Sequence, residues 1–412
     1  MSKSTFFTGQ PIFNQVLSLI PRSVVKQLAR EHNADRYCKS FRSFDHLVTM
    51  LYSTLHKCNS IREVITGMQA SASRLRHLGI LSTPRRSTLS DANERRSSVL
   101  FEQLYHRVYN HYYSSLPDSP LSKKVFNRLF IIDSTVVTLF SNVMRGTGCE
   151  KGNGRRKGGI KAHVMMQASE DIPCFVRLTE AKVSDATFLR QIKLPKGSII
   201  VMDKGYRNFR QFLSWSKNQV TWVTRLHGRT AYKIIEERPL ESEQTLYGIQ
   251  QDFIIDMGSK QLNYINPVQK ARLVVFYDKD KQRHIHFITN NFTLSASTIA
   301  EIYKKRWQIE LLFKRMKQNF QLHYFLGDNE NAIRIQLWCT LIADLLLKII
   351  KDQADKKRKW SMANLAGLIK LHLGTYIKLS AFLANPEKAL INYQDPTISN
   401  QLLLFNYSAR GA

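Results

Sequence analysis

Cysteine is scarce and scattered in this chain. Its five copies, Cys38, Cys58, Cys149, Cys174 and Cys339, are odd in number and include no C-x-x-C pair. That pattern argues against a disulfide framework and against a cysteine zinc site. The 12 histidines form no H-E-x-x-H motif, and His284 and His286, on one face of a predicted strand, read as surface positions. Acidic residues are also few: 32 Asp plus Glu stand against 61 Lys plus Arg, a formal net charge of +29. An excess this large, spread along most of the chain, points to a polyanionic partner. The longest apolar run, LWCTLIADLLLKII, is broken by Asp344 and Lys348 and is shorter than the ~20 residues of a membrane span. It reads as a buried helix. The start, MSKSTFFTGQPIFNQ, lacks the apolar segment of a secretory signal, so a cytoplasmic protein is expected. The G-x-x-x-x-G-K-[ST] order of a nucleotide-binding loop is missing, as are internal repeats and long low-complexity stretches. What remains is 412 residues with 43% hydrophobic content, enough for real cores in two or three structural units.

Residues 1–122 read as helices punctuated by turns, with no convincing strand. SFDHLVTMLYSTLHKC and SIREVITGMQASASRLRHLGI are helical, and the second opens at Ser60 with Glu63 three residues on, a capping-box pattern. Past Gly79 the chain turns through STPRR into STLSDANERRSSVLFEQLYHRVY, read as one helix with Arg85, Arg86, Arg95 and Arg96 near its start. A helix, a short turn and a cation-bearing helix suit a helix-turn-helix that brings Arg95 and Arg96 to DNA. A packing helix with a charged outer face fits the same pattern. From LSKKVFNR to residue 226 the signal becomes strand-like. RLFIIDSTVVTLF, AHVMMQAS and CFVRLTEAKV follow one another, then SIIVMD and QVTWVTRL alternate with helical SDATFLRQI and RNFRQFLSWSKN. KIIEERPL, QDFIIDMG, ARLVVFYD and HIHFITNN, divided at Gly258-Ser259 and Asp278-Lys279-Asp280, predict a β-rich insertion over 227–296. Helices resume over 297–375, and the tail, 376–412, carries little signal.

The most informative of the later helices is IYKKRWQIELLFKRMKQNF. At about 100° per residue, Tyr303, Arg306, Glu310 and Lys317 share an arc of roughly 60°, with Lys314 beside them. Ile309, Leu312, Phe313, Met316 and Phe320 occupy the opposite arc, so the helix buries one side and presents a carboxylate flanked by cations. A solvated face with an Arg306 to Glu310 i,i+4 pair has the same spacing. Asp133 in LFIIDSTVVTLF and Asp203 in SIIVMDKGY end apolar strand-like runs, a place where a lone aspartate more often bonds a turn. Asp171 and Asp185 lie in turn and helix-start contexts that account for them. The segment MRGTGCEKGNGRRKGGIKAH joins glycines to Arg145, Lys151, Arg155, Arg156, Lys157 and Lys161, a composition that moulds to a phosphate track or forms a solvated hairpin. Trp307, next to Arg306, suits base stacking or plain packing.

The ordered set, Asp133, Asp203 and then Tyr303-x2-Arg306-x3-Glu310-x6-Lys317, resembles the IS4-type DDE transposases of bacterial insertion sequences over roughly residues 125–350. The resemblance implies an α/β fold. An RNase H-like mixed sheet in two parts (123–226 and 297–375) would enclose the β-rich insertion domain (227–296), after an all-helical N-terminal DNA-binding domain (1–122). It also implies that Asp133, Asp203 and Glu310 are catalytic and bind two Mg²⁺ (or Mn²⁺) ions about 4 Å apart, with Asp133 bridging both. Tyr303, Arg306 and Lys317, with Lys314, would hold DNA near the reacting strand end. Asp203-Lys204-Gly205-Tyr206 and Lys161-Ala162-His163 are similar to elements common in the family, the first with a glycine that permits close backbone approach. The implied partners are double-stranded DNA, at terminal inverted repeats and at the target, and a second copy of the chain in the synaptic complex. ATP and membrane are not expected, and the implied location is the bacterial cytoplasm at the nucleoid. Some members pass through a hairpin held by an aromatic wedge; Trp222, Phe287 and Phe292 are candidates, and the sequence does not choose among them. A nuclease with the same metals but no strand transfer is one rival reading. A DNA-binding descendant without catalysis is the other, and the intact carboxylate set weighs against it.

Overall fold

Polar breaks, more than helix propensity, set the helix boundaries in the first hundred residues. The computed structural model describes residues 9–113, 128–138, 159–261, 264–320, 322, 324–354 and 358–391. Arg155, Arg156 and most of the glycine-rich segment lie outside the described residues. The chain divides into two units, 116–314 and 1–115 with 315–412.

In the second of these, every regular element described over 9–113 is a helix: α1 Ile12–Leu17, α2 Arg22–Glu31, α3 Ser43–His56, α4 Ile61–Ala70, α5 Ala72–Leu75, α6 Arg86–Arg95 and α7 Ser98–Tyr113. The expected helix at 60–80 breaks at Ser71, and the expected helix after STPRR breaks at Arg96, where ψ turns to 121°. The second break has a tertiary cause. Arg96 is only 5% exposed, and its guanidinium donates to Ala34 O (3.3 Å) and Phe41 O (3.0 Å). Asn331 satisfies the freed backbone by donating to the carbonyls of Asn93 and Arg96 (2.8 Å each) and accepting from Ser98 N (3.0 Å). The outward-facing role expected of Arg96 therefore fails, because its cation is consumed inside the helical unit. Arg95 is exposed. At the other predicted cap, Ser60 Oγ accepts Glu63 N (3.2 Å), as expected.

Residues 116–314 build one nine-stranded sheet, in the order β3-β2-β1-β4-β5-β9-β8-β7-β6. The strands are β1 Leu129–Thr138, β2 Gly159–Gln167, β3 Ile172–Glu180, β4 Ile199–Met202, β5 Thr221–Arg225, β6 Tyr232–Glu237, β7 Ile249–Gln261, β8 Tyr264–Asp278 and β9 Arg283–Thr289. β1, β2 and β3 are antiparallel neighbours, while β1, β4 and β5 run parallel. All four residues of β4 are buried, which is why the run is continuously apolar. Three helices are interspersed: α8 Asp185–Phe188, α9 Phe209–Lys217 and α10 Ser242–Tyr247. On α9, Phe212 stacks on Trp222 of β5 at 4.5 Å between ring centroids.

The predicted insertion does not form a separate body. β9 pairs antiparallel with β5 from Val223↔Thr289 to Arg225↔Phe287, and Phe253, Ile255, Leu273 and Ile288 share one core with Ile132, Ile200 and Met202. Gly258 marks a bulge within β7, not the turn expected there. At φ 119° a Cβ would stand 2.7 Å from Pro267 O, so the close strand approach demands glycine. Between β7 and β8 lies a buried ion pair: Arg272 donates to both oxygens of Asp252 (2.8 and 2.7 Å). The same guanidinium donates to Leu294 O, tying the sheet to the segment ahead of α11 Ala296–Lys305.

Residues from 315 onward, where the second catalytic segment was expected to continue to 375, cluster with the N-terminal helices. α12 Trp307–Asn319 is followed by α13 Glu330–Gln353, α14 Met362–His372, α15 Leu379–Ala384 and α16 Pro386–Ile391. α13 is buried along most of its length, as read from its apolar run. Asp344 within it accepts two hydrogen bonds from Arg315 (3.1 and 2.9 Å). Among the described residues no helix is long and apolar enough to cross a membrane.

Asp252→Ala leaves the Arg272 cation buried and unpaired, and is expected to lower unfolding free energy by about 3–5 kcal/mol. Urea denaturation followed by circular dichroism measures this; a loss near zero would mean the pair does not anchor the added strands.

Candidate active site

Parallel register brings the first two carboxylates together. β1 and β4 are paired from Leu129↔Ile199 to Ile132↔Met202, so the next residues, Asp133 in the middle of β1 and Asp203 just past the end of β4, stand side by side, at the roughly 4.8 Å spacing of neighbouring strands. β4 and β5 are also parallel, with Val201 level with Val223, which brings Arg225 level with Asp203. Its guanidinium donates to Asp203 Oδ1.

The third carboxylate comes from the helical segment. The stripe was expected on one continuous helix, but the chain breaks at Arg306 between α11 and α12, and Tyr303, Arg306 and Glu310 are still brought to the aspartates or to one another. Tyr303 of α11 is buried against Phe287 (ring centroids 4.8 Å apart), and its hydroxyl donates to Asp203 Oδ1 (3.3 Å). Arg306 donates through Nη1 to Asp133 Oδ2 (2.9 Å) and through Nη2 to Glu310 Oε1. One guanidinium thus bridges the strand carboxylate and the helix carboxylate. Behind it, Ile309 and Leu312 of α12 are fully buried, as the apolar arc required. Lys314 and Lys317 are exposed.

Several other candidates fall differently. Lys161 turns inward, donating to Val183 O (2.8 Å) and Asp185 Oδ1 (3.3 Å). Ser134 Oγ donates to the same Asp185 oxygen (3.0 Å), with His163 Nδ1 3.6 Å away. Asp185, read from sequence as a helix start, is therefore also the hub of a polar cluster beside Asp133. Asp171 sits in the β2–β3 turn at φ 59°, as its context suggested. Trp222 and Phe287 are core residues, which removes them as wedges, whereas Trp307 is 57% exposed. A Cβ on Gly205 would meet nothing nearer than 3.8 Å, so the fold itself does not require that glycine.

The two aspartates are driven in opposite directions. Burial pushes Asp133 up to about 6; the Ser134 N–H and Arg306 pull down, while the charges of Asp203 and Glu310 push further up. Burial also pushes Asp203 up, but the hydrogen bond and charge of Arg225, with the Lys204 N–H and Arg306, outweigh it and hold the carboxyl below its usual range. Burial raises the Tyr303 hydroxyl to about 12, so it remains a donor at neutral pH.

A family model described as "Transposase DDE domain" matches residues 125–346. The chain belongs to the DDE transposase family. A domain of unknown function, DUF4372, matches residues 8–81. Curated proteins carrying transposase names are similar to it. The y4zB protein of Sinorhizobium fredii is 31% identical over 268 residues, 65% of this chain and 72% of that one. The protein of insertion element IS5377 of Geobacillus stearothermophilus is 28% identical, across 57% of this chain and 60% of its own length. That of IS4SA of Synechocystis is 25% identical, across 64% and 71%, and it supports the IS4 assignment. A solved piggyBac transposase synaptic complex with hairpin DNA aligns at 10% identity and TM-score 0.44, covering 99% of this chain and 86% of that one.

DDE transposase domains use divalent metal ions, and the donor set here has the right chemistry. Asp133, Asp203 and Glu310 offer hard oxygens, close enough that the latter two raise the pKa of the first. Among the described residues no three acidic, histidine or cysteine side chains converge on one point. The Arg306 guanidinium occupies the space between Asp133 and Glu310. Arg225 was not anticipated from sequence. Its only signal was a cation ending a predicted strand, whose meaning depends on the parallel pairing of β4 with β5.

Asp133 makes the metal-free protein pH-sensitive in a defined direction. Its folded pKa, about 6, lies above the unfolded value of 3.8, so the folded state binds the proton more tightly. The stability it confers is complete below the unfolded value and is lost as pH rises through the folded one. Urea midpoints for wild type and Asp133→Asn in EDTA, taken from pH 4 to 7, should show the wild type losing stability relative to the variant. Parallel curves would contradict the raised pKa.

Proposed function

We propose that this chain is an IS4-type transposase that binds the terminal inverted repeats of its own element, cuts at the ends, and joins the 3′-ends to target DNA. The observation that carries the reading is the Arg306 bridge, which joins carboxylates from a strand and from a helix far along the chain, beside a third on the adjacent parallel strand. The strand order β3-β2-β1-β4-β5, with β1, β4 and β5 parallel, supports an RNase H-like core, extended by β9 to β6 of the insertion. The helices of 1–122 are the proposed end-binding domain, with Arg95 on its exposed surface.

Two Mg²⁺ or Mn²⁺ ions held by Asp133, Asp203 and Glu310 would activate the attacking water or 3′-hydroxyl and stabilise the leaving oxygen. Binding them requires Arg306 to release Asp133 and Glu310. Its forked donors then suit two oxygens of the scissile phosphate, and Lys314 and Lys317 add point charges along the strand. The Tyr303 hydroxyl, a donor at neutral pH, supplies a further hydrogen bond. Lys161, held by Asp185, positions the strand beside Asp133. Catalysis is then positioning and charge neutralisation around a phosphodiester. One phosphodiester is exchanged for another, so no ATP is needed. A dimer is proposed because two ends must be held together for joining.

A labelled duplex carrying the inverted repeat that flanks the gene tests this. Wild type with Mg²⁺ should give both cleaved and joined strands, and Glu310→Ala should bind equally well yet lose at least about 10³-fold in both products, the scale of removing one transition-state stabiliser. Cleaved ends without joined ones would make the protein a nuclease. Undiminished cutting by Glu310→Ala would remove the three-carboxylate site.

A further inference from the structure

A second cationic feature lies in the helical unit. The connection from α2 to α3, residues 32–42, lines a cleft of about 520 Å³ against α6. Two non-glycine residues of this connection hold left-handed backbone, Asn33 (φ 48°) and Tyr37 (φ 62°). Asparagine tolerates that region, but a bulky aromatic in it is an outlier that the surrounding structure must enforce. The enforcement is visible. Buried Arg96 grips Ala34 O, Phe41 O and Asp35 Oδ1 (3.5 Å), and Asp35 in turn accepts Ser43 N and Ser43 Oγ at 2.7 Å each. Nη1 of Arg96, also buried, has no hydrogen-bond partner among the described residues.

The strained conformation produces an aromatic plate in solvent. Tyr37 is 88% exposed, and the Arg36 guanidinium stacks 4.9 Å from its ring centroid. Lys39 and Arg95 are exposed on the same cleft, and among the described residues neither is paired with a carboxylate. Asp91 also lines it and repels an anion at its end, which places the anion toward Arg36, Lys39 and Arg95. Three cations without a carboxylate partner among the described residues, around an exposed ring, match a phosphate-sugar backbone, with phosphates on the cations and the ring against a sugar or base.

We propose that the cleft formed by residues 32–42 and α6 is a docking site for the sugar-phosphate backbone of double-stranded DNA, contacted by Arg36, Tyr37, Lys39 and Arg95 and shaped by Arg96 as a positioning residue. This rests on the transposase reading above and assigns a role to part of the matched domain of unknown function. The full-length protein is titrated into a labelled inverted-repeat duplex, with anisotropy read from 50 to 200 mM KCl. Arg36→Ala with Lys39→Ala should weaken binding at least tenfold and reduce the slope of log K against log salt by about 2, near 0.9 per phosphate contact. Tyr37→Gly should weaken binding several-fold while its Tm stays at or above wild type, because glycine accepts the left-handed backbone. Opposite movement of affinity and stability separates docking from folding. Wild-type affinity and salt slope in these variants would overturn the cleft alone. An absence of wild-type binding to the duplex would overturn the cleft and the transposase reading together.

Discussion

The parallel pairing of β1 with β4 is the constraint on which the active site depends. Ile131, Ile132, Ile200, Val201 and Met202 have no exposed surface on either face of the sheet, and a one-residue slip would draw a flanking charged residue into the packed run. Burial therefore fixes the register, and the register fixes Asp133 beside Asp203 one step past the last apolar pair. Asp133 follows the last fully buried residue of β1 and Asp203 the last of β4, near enough to the core to lose much of their water. Arg225 arrives by the same rule from β5.

Charge balance in the site follows from how many partners each carboxylate has to itself. Asp203 has the Arg225 guanidinium and the Tyr303 hydroxyl, and its proton affinity falls. Asp133 is pushed up first by burial; it shares Arg306 with Glu310, feels both other acids, and stands at about 6. Two guanidinium groups against three carboxylates leave the cluster short of positive charge. That shortage suits an incoming cation, and a guanidinium suits the temporary role because its forked donors can move from carboxylate to phosphate with little change in geometry. A lysine at 306 would offer a point charge without the planar fork.

Period-two and period-3.6 patterns are local, and what they encode was legible: the strand succession and the burial of Ile309, Leu312 and Phe313; that Asp133, Asp203 and Glu310 belong together was implied only by the family resemblance. Features created by partners distant in sequence were not legible. The break at Arg96 depends on Asn331 more than two hundred residues away, and the position of Arg225 depends on a parallel register. Asp185 reads as a helix start because its partners Ser134, Lys161 and His163 lie on other strands. The insertion looked like a separate domain because β5–β9 pairing leaves no mark in either strand's own sequence. The tail's two short helices at 379–391 are too brief for their periodicity to stand out.

The long interval between the second aspartate and the glutamate acquires a physical reason from the sheet. Strands β6 to β9 enlarge the surface on which α11 lies, since that helix packs on β5, β7, β8 and β9. Phe287 of β9 supports the Tyr303 ring, and Arg272, locked by Asp252 between β7 and β8, holds the Leu294 carbonyl just before the helix begins. Tyr303 is thus fixed from below by one added strand and from its N-terminal side by two others. A shorter connection could have spanned the distance, but it would have left the helix carrying Tyr303, and through it Arg306 and Glu310, without a rigid floor. Geometry at the carboxylates is therefore as much a product of the added strands as of the three strands on which two of the carboxylates and Arg225 lie.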